Sequence, residues 1–401
     1  VLVRKSVRQR FTPCDSISRL MESFRLMCAD AIRIGLAADA SSLKRLSKLS
    51  YGELKRYDDV PSYYKLCAIS RAAGILAARK KSIKRGFPTR NPYPSKPLLV
   101  SCYRFRIEGG SLLVPLGDRR FERIQLNSHT LDVLSQQGVA VRSFTLSGHS
   151  ISLCIAKEVE EISPVQGMVG IDRNLTNVAA GNPGRVTLYD VSKVVKIAEN
   201  TRSIVRSFRR NDARISKRLA GKYGERRQER IRQILNRVSK RIVTEAKENR
   251  QAIAFEDIRG IRKLYRKGNG QGRGFRGRMN SWPFQELKRQ VEYKATWEGV
   301  PVITLTTEET RGTTMYCARC GERLQGPIRG DSTRYRQLWC RRCERWIDRD
   351  VTAVMNISHR GWMRFVQSKG EGEACEAVKG NETRTLILRV DASKLSRPTK
   401  T

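Results

Sequence analysis

The sequence predicts a multidomain α/β protein in which a β-barrel, interrupted by helices, precedes an α/β domain with an inserted four-cysteine zinc ribbon. Three observations predict this architecture. One strand-like segment is separated from later strands by helical segments, an α/β pattern begins near residue 165, and two Cys-X-X-Cys pairs lie inside that pattern. The 401 residues are enough for about two to four separate hydrophobic cores.

The chain is strongly basic, with 79 Lys and Arg against 39 Asp and Glu and a net charge of +40. A compact protein with this charge repels itself, and nucleic-acid phosphates can supply the missing counter-charge. A membrane surface is the competing partner, but no apolar run approaches the roughly 18 residues that a membrane span needs. We therefore expect nucleic acid as the partner and no membrane, while charge alone would also suit a ribosomal-type protein.

The ten cysteines do not form the dense framework of a small secreted protein. With no recognisable secretory signal, they indicate a reducing, cytoplasmic setting. We expect a prokaryotic cytoplasm and association with the nucleoid. Six are scattered, mostly among apolar residues where a free thiol is usually a small core residue: Cys14, Cys28, Cys67, Cys102, Cys154 and Cys375. The other four form the ribbon pattern.

Residues 1–12 alternate apolar and basic side chains, which predicts a strand that ends at Pro13. Helical spacing of apolar residues then predicts helices over 15–39, 41–57 and 62–85, and prolines mark 87–97 as an extended linker. Alternating segments resume at residue 98. We therefore expect 1–12 and 98–164 to form a β-barrel, with 13–97 as a helical insertion plus linker.

Two tyrosines of this helical insertion, Tyr51 and Tyr57, lie among its basic residues. Aromatic rings next to positive charge can stack on nucleic-acid bases. Such tyrosines are more often partly buried at the edge of a core, and the sequence leaves both interpretations open.

The second half of the chain alternates strand and helix patterns. Apolar runs predict strands at 167–181, 185–191, 251–258 and 300–308, and apolar spacing predicts helices at 194–249 and 281–299. Glycine and arginine dominate 260–278, so we expect a solvated or nucleic-acid-bound loop there. The predicted boundaries are 165–312 and 347–369 for the α/β domain, 313–346 for the ribbon and 370–401 for a flexible tail.

Two cysteine pairs, Cys317-Ala-Arg-Cys320 and Cys340-Arg-Arg-Cys343, are separated by 19 residues. This spacing can place four thiolates tetrahedrally around Zn²⁺, and a filled site of this kind is structural; four unrelated thiols are the alternative. Gly321 follows the first pair, and Glu344 occupies the corresponding position after the second pair. We expect Glu344 to adopt a less favourable backbone conformation there. Nearby arginines indicate phosphate contact: Arg319, Arg323, Arg341 and Arg342.

Two predicted strands of the α/β domain end on an acid. Asp172 follows the apolar run 168–171, and Glu256 follows 252–255, with Asp257 as its competitor. A buried carboxylate is costly unless it is paired, hydrogen-bonded or bound to a metal. A turn residue that caps the next segment is the alternative role for Asp172.

A third acid, Asp350, lies near the start of a helix predicted just after the ribbon, where an N-cap is the alternative role and Asp348 is a rival ligand. Together Asp172, Glu256 and Asp350 could bind two Mg²⁺ or Mn²⁺ ions, which would activate water and stabilise the leaving oxygen of a phosphodiester. Three acids separated by long basic stretches are what a ribonuclease-H-like nuclease needs.

The motifs GIDRNLTNVAAG, IAFEDIRGIR, CARCGERL and CRRCERWIDRDVTAVMNI resemble those of the TnpB family of transposon-encoded RNA-guided DNA endonucleases and, more distantly, compact type V CRISPR effectors. The resemblance covers 165–358. It implies a RuvC-like nuclease domain with Asp172, Glu256 and Asp350 as catalytic residues, a zinc ribbon that binds target nucleic acid, and a wedge barrel with a recognition insertion. Arg173-Asn174 and Thr352 depart from the family pattern of a small residue and glycine after the first acid and an asparagine after the third.

The resemblance implies guide RNA and target double-stranded DNA as partners, with target choice by base pairing. We therefore expect a metal-dependent, RNA-guided endodeoxyribonuclease associated with a transposon. A DNA-binding repressor that does not cleave and a type V CRISPR effector are the alternatives. A strand transposase is disfavoured because the histidines are far apart in the sequence, and monomer and homodimer both stay open.

Overall fold

The computed structural model describes residues 1–208, 213–258, 260–261, 265–266, 268–326, 336–369 and 385–395. The chain divides into two compact units, Val1–Glu158 and Val159–Thr401. Among the helices within these described ranges, none is long and apolar enough to cross a membrane.

The first unit is built on two antiparallel sheets. One has the strand order β1-β7-β6-β2, where β1 is Leu2–Arg10, β2 is Leu98–Ser101, β6 is Ala140–Ser147 and β7 is Ser150–Glu158. The other contains β3 (Arg106–Glu108), β4 (Ser111–Gly117) and β5 (Arg120–Gln125). The N-terminal strand thus pairs with the last strand of the unit, as predicted for a β-structure with a helical insertion. The expected single barrel is instead two separately hydrogen-bonded sheets.

Helices of the first unit lie between these strands: α1 (Asp15–Ala37), α2 (Leu43–Ser50), α3 (Ser62–Lys84) and α4 (Ser128–Leu134). The three helices predicted before residue 86 are present, although α2 ends at Ser50 and a 3₁₀ turn, Glu53–Arg56, follows Gly52. The buried residues of α1 recur every three or four positions, as the sequence pattern required. Residues 87–97 form no helix or strand, in agreement with the predicted linker.

A six-stranded mixed sheet organises the second unit, in the order β12-β11-β8-β9-β10-β15. Its strands are β8 (Gly167–Arg173), β9 (Asn177–Gly181), β10 (Arg185–Asp190), β11 (Gln251–Glu256), β12 (Val302–Leu305) and β15 (Leu386–Asp391). Strands β8, β11 and β12 run parallel to one another, while β9 is antiparallel to both of its neighbours. The carboxyl ends of β8 and β11 therefore meet at the same edge of the sheet.

Helices cover both faces of this sheet: α5 (Ser192–Ser207), α6 (Ala213–Glu248), α7 (Arg273–Ser281), α8 (Phe284–Glu298) and α9 (Arg349–Lys369). Because side chains of a strand alternate between faces, Val169 of β8 packs with α6 and α8, whereas Met168 packs with α9. Helix α9 approaches β8 closely at Gly170, where an added Cβ would lie 2.3 Å from the carbonyl oxygen of Val354. This glycine lets α9 lie directly on the strand that carries Asp172.

The prediction of a flexible tail over 370–401 is wrong for residues 385–395. Strand β15 pairs in parallel with β10, Ala392 is fully buried, and Arg237 Nη1 donates to the carbonyl oxygen of Ser393 at 3.1 Å. The stabilising partners lie far away in the sequence, so the local composition of the tail gave no sign of them. The other tail residues lie outside the described part of the chain.

The predicted glycine- and arginine-rich loop, 260–278, is also partly wrong. Helix α7 begins at Arg273, and the side chain of Tyr265 is buried. Arg202 of α5 donates to the carbonyl oxygen of Gly277 at 3.0 Å, so this segment is held by a neighbouring helix. Residues 262–264 and 267 of the predicted loop lie outside the described residues.

Candidate functional site

Four thiols converge in the ribbon. The hairpin of β13 (Gln337–Cys340) and β14 (Arg345–Asp348) carries the second cysteine pair, and the Sγ atoms of all four cysteines lie within 4.8 Å of one another. Sγ–Sγ distances are 3.8 Å for Cys317–Cys343 and 3.4 Å for Cys320–Cys340. Tetrahedral Zn²⁺ with Zn–S bonds of about 2.3 Å requires sulfur atoms about 3.8 Å apart. The donor set and its spacing therefore fit the predicted structural zinc site.

The backbone of the ribbon explains how two such short loops can aim their thiols. Gly321 has φ +74°, and Glu344, at the corresponding position of the second loop, has φ +48°. The left-handed conformation favours glycine, so the prediction that Glu344 accepts an unfavourable backbone is confirmed. The amide of Cys343 donates to Cys340 Sγ at 3.4 Å, which is the type of contact that stabilises a thiolate.

Two of the predicted acids are neighbours across adjacent strands. Ile171 of β8 is paired with Phe255 of β11, so the next residues, Asp172 and Glu256, lie side by side near the carboxyl ends of the two strands. Asp172 is only 7% exposed. Burial, followed by the charge of Asp350, raises the pKa of Asp172 to about 6. Burial, followed by the charge of Asp172, raises the pKa of Glu256 to about 8.

Asp350 joins this pair from the first turn of α9. The residue is 2% exposed, and its charge acts on Asp172. The rival acid Asp348 has a different role, because its Oδ1 accepts hydrogen bonds from the amides of Asp350 at 2.9 Å and Val351 at 3.3 Å. Asp348 is therefore the helix cap, and Asp350 is the buried acid that faces the strand ends.

Three polar side chains that were not predicted as site residues contact the acids. Asn174 Nδ2 donates to Asp172 Oδ2 at 2.7 Å, and Asn177 Nδ2 donates to Asp350 Oδ2 at 2.8 Å. Arg336 Nη1 donates to the same oxygen of Asp350 at 2.7 Å. Both asparagines belong to the motif that begins at Gly170, so their proximity to the acids was a usable signal. Arg336 lies in a segment without any pattern, and only the tertiary structure reveals it.

The chemistry of this acidic cluster suits a hard divalent cation, since all the available donors are oxygens. Asn177 Oδ1 is buried and has no hydrogen-bond partner among the described residues, which leaves a further oxygen beside Asp350. The carboxylate oxygens of the acids lie farther apart than the four thiol sulfurs. Among the described residues, the four cysteines are the only group of three or more potential metal ligands whose ligand atoms all lie within 4.8 Å of one another.

The residues predicted to contact nucleic acid lie in both units. Arg319, Arg323, Arg341 and Arg342 are exposed around the ribbon. Tyr51 and Tyr57 of the first unit are half-buried, and the Tyr57 hydroxyl donates to Asp30 Oδ2 at 2.6 Å. The Arg56 guanidinium lies 5.3 Å from the centroid of the Tyr57 ring. Tyr57 is thus already engaged inside its own unit, and contact of these six residues with nucleic acid stays a prediction.

Comparisons with known proteins point in one direction. The family described as "Cas12f1-like, TNB domain" matches residues 284–357, a stretch that contains all four ribbon cysteines and Asp350. A curated TnpB-like protein of Methanocaldococcus jannaschii is 28% identical over 271 residues, which are 63% of this chain and 91% of that protein.

A solved structure shares the fold. The cryo-EM structure of a Cas12f1-sgRNA-target DNA complex aligns with 86% of this chain and 83% of its own, with 13% sequence identity and a TM-score of 0.56. At this identity the likeness shows the fold alone. The family match, the curated relative and the shared fold together show that this chain is similar to TnpB-like and Cas12f1-like proteins.

Proposed function

We propose that this protein is an RNA-guided DNA endonuclease, associated with a transposon, that hydrolyses phosphodiester bonds by a RuvC-like mechanism dependent on a divalent metal. The observation that carries the proposal is the meeting of Asp172, Glu256 and Asp350, brought together from two strand ends and one helix start. A structural role alone would not require three acids to share a buried region, because like charges repel and burial is costly.

In this proposal Asp172, Glu256 and Asp350 are the catalytic residues that hold Mg²⁺ or Mn²⁺. Bound metal would supply activation of water and stabilisation of the leaving oxygen. The raised pKa values of Asp172 and Glu256 mean that both acids must release protons to become ligands. Asn174 and Asn177 each donate a hydrogen bond to one carboxylate oxygen, which orients the carboxylates that would face the metal.

The domain assignments extend the proposal to the rest of the chain. Residues 165–312 and 347–369 would form the nuclease domain, 313–346 the target-binding ribbon, and 1–12 with 98–164 the wedge domain around the recognition insertion 13–97. The net charge of +40 favours phosphate-rich partners. The relative solved with sgRNA and target DNA supports guide RNA and target DNA as those partners.

Cleavage of a plasmid is the direct test. Protein purified with its RNA should cut a plasmid that carries the matching target in Mg²⁺. Asp350→Asn should lower the rate on the order of 10³-fold or more, as loss of a catalytic group does, while target binding persists. Asp348→Asn is the matched control, since asparagine also caps helices and the variant should cut normally. Equal cleavage by Asp350→Asn and the wild type would remove the site assignment.

The guided character needs its own experiment. RNA that copurifies with the protein from its native locus should be one discrete, structured transcript whose end matches variable target sequence. Heterogeneous RNA without such a species would rule out guidance. A repeat array and spacer sequences in the bound RNA would instead favour the type V CRISPR effector.

A DNA-binding repressor is the second candidate. Two cationic side chains favour it, because Arg336 is paired with Asp350 and Arg173 follows Asp172 directly. A repressor would bind the target tightly but leave the plasmid intact in both Mg²⁺ and Mn²⁺.

A further inference from the structure

A buried arginine adjoins two of the proposed metal ligands. Arg173 follows Asp172 at the end of β8 and is 4% exposed. Its Nη2 donates to the carbonyl oxygen of Glu256 at 2.7 Å, and its Nη1 donates to the carbonyl oxygen of Phe284 at 3.1 Å. The guanidinium also lies 5.2 Å from the centroid of the Phe255 ring. Arg173 therefore ties the end of β11 to the start of α8.

Among the residues that the structure describes, no carboxylate forms a direct ion pair with this arginine. Its hydrogen bonds to Glu256 and Phe284 both go to neutral carbonyls, and Nε is buried without a hydrogen-bond partner among the described residues. A buried guanidinium is costly unless negative charge is close. The acids whose charges act on it most strongly are Glu256 and Asp172, followed by Glu292 and Asp257. Two of the three cluster acids thus supply the main counter-charge of Arg173.

Arg173 in turn affects the electrostatics of Asp172 and Glu256. Arginine stays protonated in proteins, so Arg173 presents a permanent positive charge to the acids. That charge offsets part of the repulsion between Asp172 and Glu256 and also repels any further cation that approaches them.

We propose that Arg173 is a positioning residue and a built-in countercharge for Asp172 and Glu256, and that it thereby weakens and tunes the binding of a divalent cation at the acidic cluster. The inference rests on the proposed metal-dependent function. The two carbonyl hydrogen bonds fix the backbone of Glu256, and the charge keeps the cluster stable without a bound cation. The site then needs a higher Mg²⁺ concentration than the same acids would need beside a neutral residue.

The countercharge role of Arg173 is tested by measuring the Tm of the zinc-loaded protein at increasing Mg²⁺ concentrations, with ionic strength held constant. Arg173→Gln removes the charge but keeps an amide donor. It should lower the metal-free Tm, enlarge the Mg²⁺-induced rise in Tm, and move the midpoint of the titration to about tenfold lower Mg²⁺, a size typical of one nearby charge. Arg173→Lys keeps the charge and should keep the wild-type midpoint despite a lower Tm.

Arg360→Met is the matched control. Arg360 also donates to two backbone carbonyls, of Glu309 at 2.6 Å and Arg311 at 2.9 Å, but it is not part of the acidic cluster. Its loss should lower the Tm without changing the Mg²⁺ midpoint. Asp350→Ala should reduce the Mg²⁺ response and so shows that the response reports on this site.

The outcomes distinguish the proposed metal site from the proposed countercharge role of Arg173. A wild-type protein whose Tm does not respond to Mg²⁺ would overturn the proposed metal site and, with it, this inference. A wild-type response combined with an unchanged or higher midpoint in Arg173→Gln would overturn the countercharge alone and leave Arg173 a structural clamp. If Arg173→Gln does not fold without metal, its refolding yield should recover with Mg²⁺, and no recovery would overturn the proposal.

Discussion

Arg336 Nη1 lies 2.7 Å from Oδ2 of Asp350, and the backbone carbonyl of Arg336 accepts a hydrogen bond from the amide of Arg349 at 2.9 Å. The segment that leads into the zinc-ribbon hairpin is thus attached to the first turn of α9 by both side chain and backbone. The attachment links the four-cysteine cluster of the ribbon to the buried acid of the proposed catalytic site.

Loss of the Arg336 side chain should destabilise the metal-free protein. Arg336→Gln leaves the Asp350 carboxylate, 3% exposed, without its cationic partner. Removal of one partner from a buried pair costs about 3–5 kcal/mol, and because Arg336 is about one-third exposed we expect about 2–3 kcal/mol. Urea denaturation with and without Mg²⁺ measures the difference, which should shrink when a cation replaces the arginine.

The control for this prediction is Arg341→Gln, which removes an exposed arginine of the same hairpin and should change the free energy of unfolding by less than about 0.5 kcal/mol. Similar losses for Arg336→Gln and Arg341→Gln would mean that the ion pair with Asp350 contributes nothing.

Removal of zinc should impair DNA cleavage as well as DNA binding. Strand β14 ends at Asp348 and α9 begins at Arg349, so Asp350 lies only seven residues beyond Cys343. Loss of the metal would release the hairpin and the start of α9 together. After chelation and restoration of Mg²⁺, both target binding and plasmid cleavage should fall, and added Zn²⁺ should restore them. Cys14→Ala, at an exposed cysteine outside the ribbon, should have no effect.

The stability of the metal-free protein should fall as the pH rises. The pKa of Asp172 is raised to about 6 and that of Glu256 to about 8, whereas unfolded chains have values of about 4. Between about pH 4 and pH 8 the folded protein therefore binds more protons than the unfolded chain. The stabilisation that these two carboxyl groups contribute is complete below about pH 4, and it decreases as the pH rises until it is lost near pH 8. Urea denaturation at several pH values measures the slope.

A double variant and a comparison with and without Mg²⁺ test which groups cause the pH dependence. Asp172→Asn with Glu256→Gln should flatten the slope, because neither side chain then titrates. Mg²⁺ should stabilise the wild type more at pH 8 than at pH 6, since metal binding requires ionised carboxylates. A stabilisation by Mg²⁺ that does not depend on pH would argue against these two acids as ligands.

Gly170→Ala should separate the helix acid from the strand acids. The new methyl group would meet the carbonyl oxygen of Val354 at 2.3 Å and the amide nitrogen of Ser358 at 2.6 Å, both backbone atoms of α9. We expect a loss of about 1–3 kcal/mol, typical of overpacking, and a lower cleavage rate because Asp350 moves with α9.

Gly221→Ala is the control for the close approach at Gly170. Gly221 lies in α6 with no atom near its added Cβ, so alanine there should stabilise the helix by about 0.5–1 kcal/mol without affecting cleavage. A neutral Gly170→Ala would show that α9 can shift away from β8 without cost.

Features that depend on neighbouring residues in the chain were well predicted from the sequence. Apolar spacing located α1, α3 and α8 within a few residues, and apolar runs located β8 and β11. The cysteine spacing identified the four thiols that converge in the ribbon. A run of apolar residues that ends on an acid also singled out Asp172 and Glu256, because few functions explain a carboxylate at the end of a buried strand.

Features that depend on distant partners were decided only by the tertiary structure. The residue pattern alone left Asp348 as a rival of Asp350, and only the family resemblance favoured Asp350. In the structure the hydrogen bonds of the helix start make Asp348 the cap, whereas Asp350 is a buried acid. The residue pattern gave no sign of the partners of β15 and Arg336, because β10 and Asp350 lie elsewhere in the chain. The sequence alone thus determined which residues could build a ribbon and an acidic cluster. The packing of α9 against β8 and the pairing of β8 with β11 decided which of them meet, because side-chain proximity across a fold depends on strand register and helix approach.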